Sequence, residues 1–535
     1  MSGPHWHPDH TPAMRLEAAY GDRTVRCFID RPPSMYSLLE RAVAAYGDSE
    51  AVVCGALHWS YRELDTEVTR IAAGLAAQGV AAGERVALFM GNQPAFVATL
   101  FALQRLGAIA VPIGEREQKP GLAYMLAQCS ACAIVFDAAL AERIPDAADV
   151  PALRLRVCAS GAVAGAMALD TLGTSGEAPA GIAAVQEQDT ALILYTSGTT
   201  GRPKGAMLTH LNVVHSVRHY EVCMGLRSGD RSALAVPASH VTGLIAVIAA
   251  MVHVGGAIVI LPEFKAASFL QTMEAERITY TLMVPAMYQL SLMHASFAST
   301  NLSHWRIGGY GGAPMPVSAI DTLGERLPGL TLINAYGATE TTSPTTMMPA
   351  GLTRGHVDTV GVPLPCADVR VMDEEGRELP TGEQGELWIA GPMVVPRYWD
   401  NPEATHASFT GGYWHSGDMG SVDANGFIRL FDRKKDMLNR GGFKIYSVEV
   451  ENALMALPGV VEAAIVGRPC PVLGERVHAF IHAPGVAHND EAVRAHCQTQ
   501  LTDYKVPETI TWSDTPLPRN SGGKLLKRTL RDQLL

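Results

Sequence analysis

The sequence predicts an α/β protein: a large N-terminal domain of doubly wound sheets with a β-rich subdomain, joined near Asp432 to a small α+β C-terminal domain. Three observations carry that prediction. Strand-like and helix-like runs alternate from about residue 37 to 137 and again through the middle of the chain. From about Val369 the texture changes to short strands and tight turns. A run dense in charge and glycine, residues 431–442, then separates that segment from a further mixed stretch. The expected division is 1–431 and 432–535. With 535 residues, the chain exceeds one core, since a domain usually takes about 100–200 residues.

Each element has its own signal. Residues 61–78 show helical periodicity, and RVALFM (85–90) is a continuous apolar run of strand length. Residues 95–105 read as helix and AIAVPI (108–113) as strand. Strands and helices of these lengths in alternation imply parallel sheets covered on both faces. ALILYT (191–196), IVIL (258–261) and ITYTLMVP (278–285) repeat the strand signal, the last running into a helix through Tyr288. Residues 157–184, rich in Ala, Gly and Ser, read as loops around short elements. Past the charged run come a helix at 448–456 and a strand at 463–466.

One stretch imitates a membrane span: LIAVIAAMVHVGGAIVIL (244–261). His253 and the Gly255-Gly256 pair interrupt it, so it reads as a buried helix, a glycine turn and a buried strand. The N-terminal MSGPHWHPDH has no basic or apolar signal region, and its histidines belong to a polar tail. The terminal RDQLL is no lipidation or peroxisomal address.

Composition excludes several classes. A hydrophobic fraction of 47% and a charged fraction of 18% describe a globular chain. A net charge of −11 argues against nucleic acid as the main partner and against an electrostatic hold on anionic membranes. Nine scattered cysteines suit a reducing, cytoplasmic setting. Cys129 and Cys132 form one C-x-x-C with no second pair, which reads as two packed thiols between a helix and a strand.

The sharpest motif follows a buried strand: Tyr195-Thr-Ser-Gly-Thr-Thr-Gly-Arg-Pro-Lys-Gly205. Gly198, Gly201 and Gly205 let the backbone turn tightly and aim amides at an anion. Thr196, Ser197, Thr199 and Thr200 add hydroxyl donors, and Lys204 adds charge. This is a phosphate cradle by composition, without the spacing of a Walker A loop.

The motif resembles the phosphate loop of the adenylate-forming enzymes: acyl-CoA synthetases, aryl-CoA ligases, peptide-synthetase adenylation domains and beetle luciferases. The resemblance runs from about Tyr36 to Lys527, with the motifs in order. It implies an ATP-dependent acid–thiol ligase that uses Mg²⁺, forms an acyl-adenylate and passes the acyl group to coenzyme A. In Asn334-Ala-Tyr-Gly-Ala-Thr-Glu-Thr341 it implies that Tyr336 stacks on adenine, Thr339 contacts the α-phosphate and Glu340 binds Mg²⁺. The family more usually has Gln-Gly where this chain has Asn334-Ala335, so the Ala335 methyl is expected to narrow or shorten the acyl tunnel. Gly309-Tyr-Gly-Gly-Ala-Pro314 places Gly311, Gly312, Ala313 and Pro314 beside adenine and Tyr310 on the acyl side.

The remaining motifs complete the expectation. Val236-Pro-Ala-Ser-His-Val-Thr-Gly243 resembles the acid-binding segment, with His240 beside the substrate carboxylate. No acid lies between Ala235 and Gly243, which disfavours an amino-acid substrate, since a buried ammonium needs a partner. Asp418, in Tyr413-Trp-His-Ser-Gly-Asp418, matches the ribose site. Asp432 matches the hinge, and the neighbouring Arg433 is expected to reach ribose or phosphate. Lys524, in Pro518-Arg-Asn-Ser-Gly-Gly-Lys524, aligns with the catalytic lysine. Rotation about Asp432 is expected to exchange Lys524 for Arg440-Gly-Gly-Phe-Lys-Ile445, with Gly441 and Gly442 along the pantetheine arm and Lys444 near the coenzyme A nucleotide.

The acid expected is a medium- or long-chain fatty acid or an aryl acid. The P-x4-G-K pattern ending at Lys524 implies a lysine acetyltransferase as a partner, and dimers are common in the family. Competing readings are loading of a carrier-protein thiol, a luciferase-like oxidoreductase and a non-enzymatic nucleotide sensor.

Overall fold

The computed structural model describes residues 6, 11–174, 181–196, 202–441, 443–519 and 525–534. They form two compact units: 1–369 with 389–415, and 370–388 with 416–535.

Local chemistry sets the helices of the first unit. Ser34, Ser60 and Thr209 each accept the N3 amide of the following helix, while the N3 side chain returns to the cap amide. These capping boxes start Met35–Tyr46, Tyr61–Ala77 and His210–Met224. Pro94 opens Pro94–Leu106, and Gly107, at φ +67°, closes it in the left-handed conformation.

Two sheets carry these helices. The first orders its strands Lys204–Thr209, Thr190–Thr196, Ile109–Pro112, Arg85–Phe89, Ala133–Asp137, Leu155–Ser160 and Met167–Ala168. Its interior is parallel, as the alternating pattern implies, but Thr190–Thr196 and Lys204–Thr209 form an antiparallel hairpin at the edge. The second sheet holds nine strands, with Thr331–Tyr336, Ile307–Tyr310, Tyr280–Met283 and Arg231–Leu234 side by side and parallel. Phe89, Ile134 and Phe136 lie in the core of the first sheet, and Phe269, Tyr288 and Trp305 in that of the second.

The apolar stretch at 244–261 folds as its interruptions predict. It is helical over Thr242–Ala249 and Ala250–Val254, turns at Gly255 and enters the buried strand Ala257–Ile260. A β-carbon on Gly255 would lie 2.1 Å from the ring of Tyr46, so only glycine allows this turn. The first part is wound wide, with the Ala250 amide donating to the Ile245 carbonyl five residues back. Among the described residues no helix is long and apolar enough to cross a membrane.

The second unit contains the ladder between Tyr413–Val422 and Ile428–Arg433, in which Asp418 faces Arg433 and Met419 faces Asp432. It also holds a sheet ordered Phe443–Ile445, Leu438–Arg440, Gly474–His482 and Glu462–Cys470, with Thr509–Ser513 beside Gly474–His482. Compactness divides the chain at 415/416 and sets 370–388 with the C-terminal residues, whereas the charged run suggested 432. The ladder pairs 418–422 with 428–433, so those residues fall together on the C-terminal side of the 415/416 division. Glu462–Cys470 outruns the predicted 463–466 because its long pairing with Gly474–His482 carries Gly467 and Pro469 along.

Candidate active site

The hairpin brings the ends of the phosphate motif together. Thr196 lies opposite Lys204 and Tyr195 opposite Gly205, so paired strands hold the two ends of the motif side by side. A β-carbon on Gly205 would sit 2.8 Å from Ile193 Cγ2, which explains glycine there. Ser197, Gly198, Thr199, Thr200 and Gly201 lie outside the described residues.

Glu340 is aimed by a single helical turn, Thr339–Thr341, that follows Thr331–Tyr336. The Val395 amide holds its carbonyl at 2.9 Å. Its buried carboxylate accepts hydrogen bonds at Oε1 from Thr196 Oγ1, at 3.3 Å, and from the Tyr398 hydroxyl, at 2.9 Å. Lys204 Nζ stands 4.9 Å from the centre of the Tyr398 ring. Thr196, Lys204 and Glu340, drawn from separate motifs, thus meet around one tyrosine.

Tyr398 is the residue that motif reading missed. Its segment is bonded to the hairpin: Trp399 donates to the Gly205 carbonyl at 2.7 Å, and Met207 to the Arg397 carbonyl at 3.2 Å. Burial, and then the charge of Glu340, push the phenol well above its ordinary range, so it remains a donor to the carboxylate. The signal available in sequence was the aromatic pair Tyr398-Trp399 ending an apolar run.

The glycine segment packs directly on the Ala335 strand. Tyr310 pairs with Asn334, and a β-carbon on Gly311 would fall 2.3 Å from the Ala335 carbonyl. Gly312 takes φ +78°, beyond the reach of most side chains. The Tyr310 ring is buried in an apolar cluster with Ala235, Val236, Met283, Met287 and Met315, and burial pushes its hydroxyl up to about 12. Ala335 is buried, and Ala313 and Pro314 continue the Gly311–Gly312 turn. Tyr336 rests against Ile389, Met393, Val394 and Trp414.

His240 opens the turn before the wide helix, its carbonyl accepting the Leu244 amide at 2.9 Å. Burial and the charge of Arg116 lower its pKa, so the ring is neutral at physiological pH. A neutral imidazole can donate a hydrogen bond to a substrate carboxylate without bringing a second buried charge.

In the second unit, Arg433 Nε lies 3.3 Å from Asp418 Oδ1 across the ladder. Asp432 is buried and accepts the amides of Arg433, at 2.7 Å, and Ser447. Burial raises its carboxyl above the ordinary range. Gly441, at φ +60°, donates to the Leu473 carbonyl at 2.7 Å. Lys444 is exposed and stands 3.6 Å from Glu374. Gly442 and Lys524 lie outside the described residues.

The donor set around Glu340 fits Mg²⁺. Its two partners are neutral hydroxyls, and a carboxylate so held suits a hard dication that takes oxygen ligands and shares them with phosphate. Among the described residues no cluster of three or more His, Cys, Asp or Glu could hold a metal alone. A single carboxylate beside a phosphate hairpin is the arrangement expected when the nucleotide supplies the other ligands.

Comparison with known proteins identifies the family. The AMP-binding enzyme family matches residues 39–399, and the AMP-binding enzyme C-terminal domain matches 449–524. The chain is 36% identical to a feruloyl-CoA synthase of an Amycolatopsis species, over 90% of its own length and 95% of the relative's. It is 30% identical to a long-chain-fatty-acid–CoA ligase of Mycobacterium tuberculosis, over 89% and 93%. Its fold matches the o-succinylbenzoate CoA synthetase of Bacillus subtilis in complex with its acyl-adenylate, with TM-score 0.84, 26% identity, and 94% and 99% of the two chains covered. The chain therefore belongs to the AMP-binding enzyme family, the adenylate-forming acid–thiol ligases that use ATP, Mg²⁺ and coenzyme A.

Proposed function

We propose that the protein is an AMP-forming acyl-CoA synthetase for a fatty or aryl acid, with aryl acids preferred. The observation that carries the chemistry is the meeting of Thr196, Lys204 and Glu340 around Tyr398. Tyr310 in its apolar cluster supports a largely apolar tail. The higher identity to the feruloyl-CoA synthase supports the aryl preference.

In this reading the acid arrives ionised, as an ordinary carboxylic acid is at neutral pH. Its carboxylate attacks the α-phosphorus in line, the α–β phosphoanhydride bond breaks and pyrophosphate leaves. No protein nucleophile is needed, so the protein positions the reactants and neutralises charge. His240 orients the carboxylate. Tyr336, Gly311, Gly312, Ala313 and Pro314 receive adenine, and Asp418 and Arg433 serve the ribose. Thr339, Lys204 and the 196–201 segment take the phosphate role in the first unit, and the resemblance assigns the catalytic ammonium to Lys524. Mg²⁺ on Glu340 supplies positive charge to their oxygens. In the second half-reaction the segment 432–535 turns at Asp432, and the thiol of coenzyme A passes Gly441 and Gly442 with Lys444 near its nucleotide. The thiol sulfur attacks the acyl carbonyl and AMP leaves.

Acid-dependent pyrophosphate release from ATP, across a panel of fatty and hydroxycinnamic acids with and without coenzyme A, tests this. AMP and a thioester appearing together are expected. Adenylate without thioester in the presence of coenzyme A would instead favour a carrier-protein acceptor.

A further inference from the structure

Within the second unit, the stems on either side of residues 520–524 are tied down by buried or half-buried charges. The two stems meet in the pairing of Arg519 with Leu525 and in the Leu526 amide on the Pro518 carbonyl at 2.8 Å. On the N-terminal stem, Glu462 accepts the Leu517 amide at 2.7 Å and Arg519 Nη2 at 2.6 Å. On the C-terminal stem, Lys527 Nζ lies 2.6 Å from Glu451 Oε1, with side-chain exposures of 12% and 16%. The same ammonium donates to Ser447 Oγ, and the Ser447 amide donates to Asp432 Oδ2. Glu451 Oε1 also accepts the Ile465 amide at 2.8 Å. Lys527, Glu451, Ser447 and Asp432 thus form one continuous chain from the C-terminal stem to the start of the helix Ser447–Met455.

Such an arrangement is costly unless it has a use. Taking charges out of water carries a penalty that one salt bridge rarely recovers, and an apolar packing of similar volume often serves stability as well. Burial pushes both Asp432 and Glu451 up, and Lys527 is the cation that pulls each back. What the chain does secure is geometry, because each link has a fixed donor and acceptor.

We propose that Lys527 is a positioning residue for adenylation: held by Glu451 and Ser447, it fixes the stem that follows Lys524 in the chain relative to the segment that Asp432 caps. The inference rests on the reading of Lys524 as the catalytic lysine. Displacing a reacting group by about 1 Å can cost roughly a hundredfold in rate, so a loosened stem would be felt in the step that uses Lys524.

The test measures the two half-reactions separately: acid-dependent ATP–pyrophosphate exchange, and thioester formation from supplied acyl-adenylate and coenzyme A. Lys527→Met is expected to lower kcat for adenylation roughly tenfold to a hundredfold, with KM for the acid and the thioester step unchanged. Lys527→Arg should recover most of the loss, and Glu451→Gln should reproduce it. Arg519→Met loosens the other stem from a more exposed position and should slow the same step, which keeps the inference testable if Lys527→Met fails to fold. Wild-type adenylation in folded Lys527→Met, or equal loss of both half-reactions, would overturn it. Lys524→Ala separates the causes. If that variant adenylates normally, the reading of Lys524 fails. If it is impaired while Lys527→Met and Arg519→Met are not, only the positioning inference fails.

Discussion

At the scale of single residues, Glu340 and Tyr398 divide the work between charge and orientation. Glu340→Gln keeps the shape and removes the negative charge that suits the metal. Adenylation should fall roughly a hundredfold to a thousandfold, with the Mg²⁺ dependence of pyrophosphate exchange shifted to higher concentration. Tyr398→Phe removes one hydrogen bond to a carboxylate, worth about 1.5–3 kcal/mol. It should lower kcat roughly tenfold and also lower the melting temperature, since the buried carboxylate loses a donor. An unchanged kcat would mean that Tyr398 only fills space between the hairpin and Glu340. Gly311 is a packing matter: the Ala335 carbonyl occupies the place of a side chain. Gly311→Ala should cost about 1–3 kcal/mol of stability, read as a lower denaturant midpoint.

At the scale of elements, the helix His210–Met224 turns three histidines inward. His210 Nδ1 accepts the Met35 amide at 3.1 Å, and His215 Nε2 accepts the Phe28 amide at 3.2 Å. Both bonds require a neutral ring. Burial lowers the pKa of His210 to about 4, of His215 to about 3 and of His219 to about 4. The unfolded chain therefore binds more protons than the native chain below an unperturbed pKa of about 6.5, and stability rises with pH across that window. The melting temperature should fall as pH drops from about 6.5 toward 4, and His215→Gln should flatten the decline. A profile equally steep in that variant would assign the acid sensitivity elsewhere. Asn and Ser are residue types mostly found at the surface, and His is intermediate. Burial of His210, Asn212, His215 and His219 is possible because other segments supply hydrogen-bond partners: the Met35 and Phe28 amides and the Pro392, Val394 and Pro365 carbonyls.

At the scale of the whole molecule, two units with separate cores predict two unfolding transitions. The first unit keeps its cores around Phe89 and Trp305, and the second around Ile465 and Val477. Calorimetry should resolve two endotherms. ATP analogue with Mg²⁺ should raise the one assigned to the unit holding Glu340, since a ligand stabilises the fold it binds. One cooperative transition, shifted as a whole, would show that the units do not unfold independently.

The sequence by itself determined the α/β class, most strand and helix positions and the order of the motifs. Those features are local: hydrophobic period, caps and glycine turns are written in neighbouring residues. It also placed Thr196 and Lys204 in a phosphate cradle by composition, and Glu340 and the Gly309–Pro314 segment among the expected site residues through a resemblance. Only the tertiary structure decided which of them meet. Thr196 touches Glu340 because one strand edge passes the end of another sheet's turn, and Tyr398 joins them because its segment is bonded to the hairpin. The same holds for Lys527 and Glu451, 76 positions apart by their numbers, whose pairing follows from the fold of the second unit. Contacts between residues far apart in the chain depend on how whole elements pack, and no local pattern encodes that.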